Sequence, residues 1–223
     1  MIHILNIETA TKNCSVSISK NGKIIACKQL AEEGYSHAEK LHVFIEEILQ
    51  ENNLTVKDIN AIAVSQGPGS YTGLRIGVSS AKGLSYSLDI PLISVDTLES
   101  LANQIEAVEG LIIPMIDARR MEVFCAVFDG NKNKIQPTEA KILDENSFSE
   151  LTEKVYFIGD SNEKAKEILT KPNFVFLDNF VYPSANEMGK LSFEKYQNKN
   201  FEDVAYFEPF YLKDFMITTK TSS

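Results

Sequence analysis

Cysteine is scarce in this chain of 223 residues, and the three present, Cys14, Cys27 and Cys125, are odd in number and widely spaced. They form no C-x-x-C pair and no disulfide framework, and each lies in an apolar or alternating run, so they read as small buried hydrophobes. Histidine is equally scarce, with three residues, and no Ser-His-Asp or Cys-His set can be assembled with any specificity. Basic residues are outnumbered, 22 Lys and Arg against 31 Asp and Glu, leaving a net charge of −9. A protein that grips nucleic acid unaided needs clustered Lys and Arg to neutralise phosphates, and the chain has no run of that kind. No apolar stretch approaches the roughly 18 residues of a membrane span. The opening MIHILNIETA has no basic leader and is interrupted by Asn6 and Glu8, so the expectation is a cytoplasmic protein with no membrane association.

What is present is an α/β pattern. ILNI, CSVSI and IIACKQL read as strands, with Asn21-Gly22 as a hairpin turn between the second and third. In YSHAEKLHVFIEEILQENN, Ser36 and Glu39 have capping-box spacing, and Ala38, Leu41, Ile45, Ile48 and Leu49 share a helical face. AIAV (61–64) is a short buried strand, followed by a Gly-rich loop and a helix to about Leu88. IPLISV (90–95) is a strand, and Asp96 with Glu99 starts a helix through LESLANQI. Residues 111–132 then repeat the plan of the first 22. An apolar strand ends in an acid (Glu8, then Asp117), and an alternating strand and a turn follow (Asn21-Gly22, then Asp129-Gly130). VYFIGD and FVFLD are further strands, with a helical stretch between them and another, SANEMGKLSFEKY, after them. A lobe boundary is expected near residues 103–111, dividing 1–103 from a smaller 104–223 with a mobile tail.

The loop VSQGPGSYTGLRIGVSSAKGL (64–84) opens a helix, the setting in which glycines often cradle phosphates. It supplies no G-x-x-x-x-G-K-[ST], and Gly67, Gly69 and Gly73 miss the dinucleotide spacing by one residue. The helix carries more information. Gly73, Gly77, Ser80 and Ala81 form a ridge of very small residues bordered by Leu74, Val78, Leu84 and Leu88, with Arg75, Lys82 and Tyr86 opposite. Glycine inside a helix costs about 1 kcal/mol relative to alanine, so the ridge implies close backbone approach. The approach is either to the protein's own sheet or to a helix of another chain. His37 and His42 are five residues apart, about 140° around the helix, too far to share a metal ion easily.

GPGSYTGLRIGVSSAKGL resembles the signature of the TsaB (YeaZ) family, bacterial partners of TsaD in making threonylcarbamoyl-adenosine on tRNA. ILNIETAT, CSVSI, YSHAEKL, IDAR (116–119), YPSA (182–185) and PFYLKD (209–214) extend the resemblance along essentially the whole chain. It implies an actin-like, sugar-kinase-like (ASKHA) two-lobe fold with a reduced C-terminal lobe. ATP-using proteins of that fold typically place Asp-x-Gly turns after the first strand of each lobe. Here those turns read Glu8-Thr9-Ala10-Thr11 and Asp117-Ala118-Arg119-Arg120, without glycine, and Gly159 is followed by the acid Asp160. The metal-binding H-x-x-x-H of TsaD is also missing by one position. The resemblance therefore implies a non-catalytic subunit, with no cofactor and no metal, supporting TsaD's modification of adenosine next to the anticodon of ANN-reading tRNAs. The alternative is an autonomous ATP-dependent transferase or metallopeptidase-like enzyme of the same fold. Implied partners are a TsaD-like catalytic subunit, a TsaE-like ATPase through the complex, a second copy when alone, and tRNA only through the complex. The first two helices would form the interface, giving Leu41, Phe44, Ile45, Ile48, Gly73, Leu74, Gly77, Val78 and Ala81 as partner-binding residues, with Gly77 the most sensitive to added volume.

Overall fold

The computed structural model describes residues 1–31 and 37–212. The first strands are β1 (His3–Glu8), β2 (Asn13–Lys20) and β3 (Lys23–Ala31), antiparallel in sequence. Asn21 and Gly22 both take positive φ at the β2–β3 turn, as an Asn-Gly hairpin requires. Helix α1 (His37–Glu51) follows; Ser36, read above as its cap, lies outside the described residues. Then come β4 (Ala61–Gly67), α2 (Tyr71–Leu88), β5 (Leu92–Asp96) and α3 (Thr97–Ala102). Asp96 caps α3 by accepting from Leu98 and Glu99 N–H, and the helix stops at Ala102, short of the expected LESLANQI. Strand order in the first sheet is β3-β2-β1-β4-β5, with β1, β4 and β5 parallel.

The second sheet repeats this topology. It contains β6 (Leu111–Asp117), β7 (Glu122–Asp129), β8 (Lys134–Ile142), β9 (Val155–Ile158) and β10 (Phe174–Phe176), ordered β8-β7-β6-β9-β10. Again three strands are antiparallel neighbours and the last two join in parallel. Strand for strand the two sheets correspond, which is the duplicated, two-lobe actin-like α/β fold.

The two sheets are covered differently. β1 is buried on both faces, as a central parallel strand should be. Leu5 and Ile7 meet α1 and α2 through Leu41, Ile45, Ile48, Val78 and Ala81. Ile4, Ala61, Ala63, Ile93 and Val95 face the other way, onto Ala185 and Met188. In the second lobe the outer helices shrink to α4 (Asn162–Lys166), and Phe148, Phe174 and Phe176 close around Phe157 instead, at centroid distances of 5.0 to 5.6 Å. Helix α5 (Met188–Gln197) starts later than the SANEMG pattern suggested, because Ala185 is bonded by its N–H and C=O to Ser15 and Ser17 of β2. Helix α5 packs on the first sheet, Glu202 bridges Leu92, and Phe210 N–H donates to Gln66 O. The break at 103–111 thus separates the sheets, whereas residues 184–212 return to the first one.

Candidate functional site

The duplication places the turns after β1 and β6, residues 8–11 and 117–120, at corresponding positions in the two lobes. Both turns make several of their polar contacts within the chain. Glu8 is fully buried; its Oε1 accepts from Ala10 N–H at 2.6 Å and Ser65 Oγ at 2.9 Å. Thr9 Oγ1 donates to Gly73 O at 2.8 Å, and Ala10 O accepts Ser70 N–H at 2.6 Å. In the second lobe Asp117 pairs with Lys164, which also donates to Arg120 O and Glu122 O. Asp160 accepts the Asp117 N–H at 2.8 Å. Gly159 is needed there: its φ is +113°, and a Cβ would collide with Met115 O.

These contacts answer the question raised by the glycines of α2. A Cβ on Gly69 would fall under 3.0 Å from Ala10, and one on Gly73 or Gly77 equally close to Thr9. The ridge therefore seats the 8–11 turn, and the first of the two readings of close approach is the correct one. The start of α2 is partly used within the chain: Ser70 N–H donates to Ala10 O and Gly73 N–H to the Ser70 hydroxyl. Of the nine expected partner-binding residues, Leu41, Ile45, Ile48, Gly73, Leu74, Gly77, Val78 and Ala81 are buried against the chain's own sheet and turn. These residues therefore have little surface to offer a second molecule. Phe44 is half-buried, about 200° around α1 from His42 and so on the side away from α2.

The outer face of α2 holds what the sequence reading passed over. Thr72, Ser79 and Gly83 are exposed, and a Cβ on Gly83 would meet nothing within 4 Å. Beside them lie Ile76, Ser80, Tyr86 and Ser87, with His42 of α1 in contact with Ser80 at 3.3 Å. The two cations of α2 are tied at one edge, Arg75 over the Tyr71 ring and Lys82 to the carbonyls of Ala205 and Phe207. A solvated helix face normally carries charge at its centre; this one carries small uncharged residues. The available signal was the third glycine, which shares a helix with Gly73 and Gly77 but not their side.

Burial pushes the Glu8 carboxyl up to about 7, against the hydrogen bonds from Ala10 and Ser65, and its Oε2 is buried without a partner. Burial likewise lifts Asp160 to about 6. The three thiols are pushed up by burial to about 11 for Cys14 and Cys27 and about 12 for Cys125, which suits inert packing. Cys27 is half-buried, less enclosed than the sequence suggested. His37 Nε2 lies 2.8 Å from Thr11 O, so His37 and His42 take separate partners. Among the described residues no group of three or more His, Cys, Asp and Glu could hold a metal ion, and no helix is long and apolar enough to cross a membrane.

Glu8 makes stability pH-dependent with a definite sign. A carboxyl whose folded pKa is raised favours the native state while protonated, so its contribution drains away as pH rises from 4.5 towards about 7. Glu8→Gln keeps the accepting oxygen and removes the buried charge. Its urea midpoint is expected near the parent's at about pH 4.5, and the variant should be more stable at about pH 8, by up to about 3 kcal/mol. An equal difference at both pH values would show that the buried charge is not the cause.

Comparison with known proteins follows the same line. The profile of the TsaD family, described as tRNA N6-adenosine threonylcarbamoyltransferase, matches residues 31–218. The Escherichia coli tRNA threonylcarbamoyladenosine biosynthesis protein TsaB is 29% identical over 222 residues, covering 96% of this chain and 95% of that one. The protein of the same name from Buchnera aphidicola is 32% identical, over 88% of this chain and 91% of its own. The structure of YeaZ from Pseudomonas aeruginosa superposes with a TM-score of 0.84 at 23% identity, covering 95% of this chain and all of that one, so the fold is shared. Sequence relatives along nearly the whole length, together with the duplicated sheets, show that the chain belongs to the TsaB family.

Proposed function

We propose that the chain is a non-catalytic subunit that pairs with a TsaD-like catalytic protein and supports transfer of threonylcarbamoyl to adenosine in cytoplasmic tRNA. The observation that carries this reading is the seating of the 8–11 turn beneath α2. Thr9 and Ala10 are consumed by Gly73 and Ser70, and Asp117 and Asp160 set carboxyl groups where a triphosphate would need room. The pairing surface is the outer face of α2 around Thr72, Ser79 and Gly83, with Ala38 and His42 of α1 beside it, in place of the buried residues expected from the sequence. The same face serves a second copy when the catalytic subunit is absent, and a TsaE-like ATPase and tRNA engage the assembled complex. Reconstitution tests the reading. The chain should accelerate threonylcarbamoyl transfer by the TsaD-like protein of its own cell and yield no modified tRNA alone; product from the chain alone would establish the autonomous-enzyme alternative.

A related expectation concerns nucleotide. Calorimetry of the isolated chain with Mg-ATP should give no saturable heat at micromolar concentrations. A low-micromolar dissociation constant, lost in Asp117→Asn, would mean that the cleft still binds nucleotide.

A further inference from the structure

We propose that a polar cavity between β3 and residues 179–187 is a binding site for a small organic cation, an amine or guanidine that donates several N–H bonds. The cavity holds about 650 Å³, within the range of small-molecule sites. Its walls include Asn13, Gln29, Gln104, Asn179, Asn186 and Glu187, none of which belongs to the interlobe turns or the α2 face.

The wall chemistry selects the ligand. Asn13 Nδ2 donates to Pro183 O at 2.9 Å, Gln104 Nε2 to Tyr182 O at 2.6 Å, and Asn186 Nδ2 to Glu187 Oε1 at 2.8 Å. An amide anchored through one N–H still offers its carbonyl oxygen, and these three oxygens have no hydrogen-bond partner among the described residues. Gln29 is anchored the other way, its Oε1 accepting from Ser184 Oγ at 2.8 Å, which leaves its amino group as a donor. Glu187 adds a negative charge whose Oε2 is buried without a partner, and burial raises its carboxyl above the ordinary range. Among the described residues no Lys, Arg or His lines the cavity. A phosphate or carboxylate would meet the Glu187 carboxyl with no cation among the described lining residues to offset it, and an apolar guest would strand the amides. A cation with several N–H groups satisfies both the carbonyls and the carboxylate.

The test is calorimetry and thermal shift of the intact chain with agmatine and spermidine, at physiological salt so that attraction to the −9 surface is screened. Butanediol and citrate serve as neutral and anionic probes. One of the two cations should bind saturably and raise the thermal midpoint, and citrate should not bind. Gln104→Lys, which places an ammonium in the cavity, and Glu187→Gln, which removes its charge, should each weaken binding about tenfold or more, or about 1.4 kcal/mol. Should Glu187→Gln fail to fold, because Glu187 begins α5, Gln104→Lys decides alone. No saturable binding of either cation, affinity unchanged in the folded variants, or equal binding of the diol would overturn the assignment.

Discussion

Gly77→Leu should lower the thermal midpoint of the isolated chain by many degrees, and Gly73→Ala should do so with a single added carbon. In an exposed helix, Gly→Ala gains up to about 1 kcal/mol. Here a Cβ on Gly73 would fall under 3.0 Å from the carbonyl oxygen of Thr9, and one on Gly77 equally close to Thr9 Oγ1. Thr9 cannot yield easily, because its hydroxyl is bonded to Gly73 O and its backbone continues from β1 at the centre of the sheet. Overpacking of this kind costs about 1–3 kcal/mol and sometimes more. For a chain of this size that amounts to roughly 2–4 °C per kcal/mol. The two sites should differ in what rescues them. Thr9→Ala removes the hydroxyl that obstructs position 77 and should restore much of the stability of Gly77→Ala. It leaves the carbonyl that obstructs position 73, so Gly73→Ala should stay damaged. Equal rescue at both sites, or a gain in stability from Gly73→Ala, would contradict the seating of the turn.

Gly83 predicts the opposite pattern. With nothing within 4 Å of its missing Cβ, Gly83→Ala should stabilise the isolated chain, by up to about 1 kcal/mol, and Gly83→Leu should leave it folded. Pairing is where the substitution should matter. A bulky side chain at the centre of the Thr72–Ser79–Gly83 face would hold an incoming helix away, at about 1–3 kcal/mol, or tenfold to a hundredfold in affinity. Pull-down or sedimentation with the TsaD-like protein of the same cell reads this directly, and tRNA modification should fall in parallel. A Gly83→Leu protein that pairs as well as its parent would remove α2 from the interface while leaving the seat of the 8–11 turn untouched.

Most elements were legible because their periodicity is strong: β1 to β7 and α1 to α3 lie where apolar patterns, the Asn21-Gly22 turn and the Asp96 cap place them. Strand β8 was not legible. Its sequence KIQPTEAKI has Pro137 at its middle and leaves Ile135 and Ile142 exposed, the profile of an edge strand held by its neighbour. The ridge of α2 was visible as small residues at helical spacing, but its contact was not. Thr9 lies 64 residues from Gly73, and no local pattern says which distant turn will fill a groove. Burial of Leu74, Val78 and Ala81 on the same side followed, so the apolar arc read as a surface was already consumed. The cavity amides gave no signal at all, since an asparagine in a strand and a glutamine beyond a short helix look alike whether or not they meet.

The return of residues 184–212 to the first sheet sets an order of events during synthesis. Ile4, Ala61, Ala63, Ile93 and Val95 are made in the first half of translation, yet Ala185, Met188 and Leu191, which cover them, emerge near its end. At roughly 5–20 residues per second, that apolar face waits on the order of ten seconds for its cover. The nascent chain therefore carries an adhesive patch throughout elongation, and ribosomes that stall before position 184 should release aggregation-prone fragments. Removal of α5 from the finished gene should likewise send the product to inclusion bodies, although the deleted helix lies far in sequence from every strand it protects.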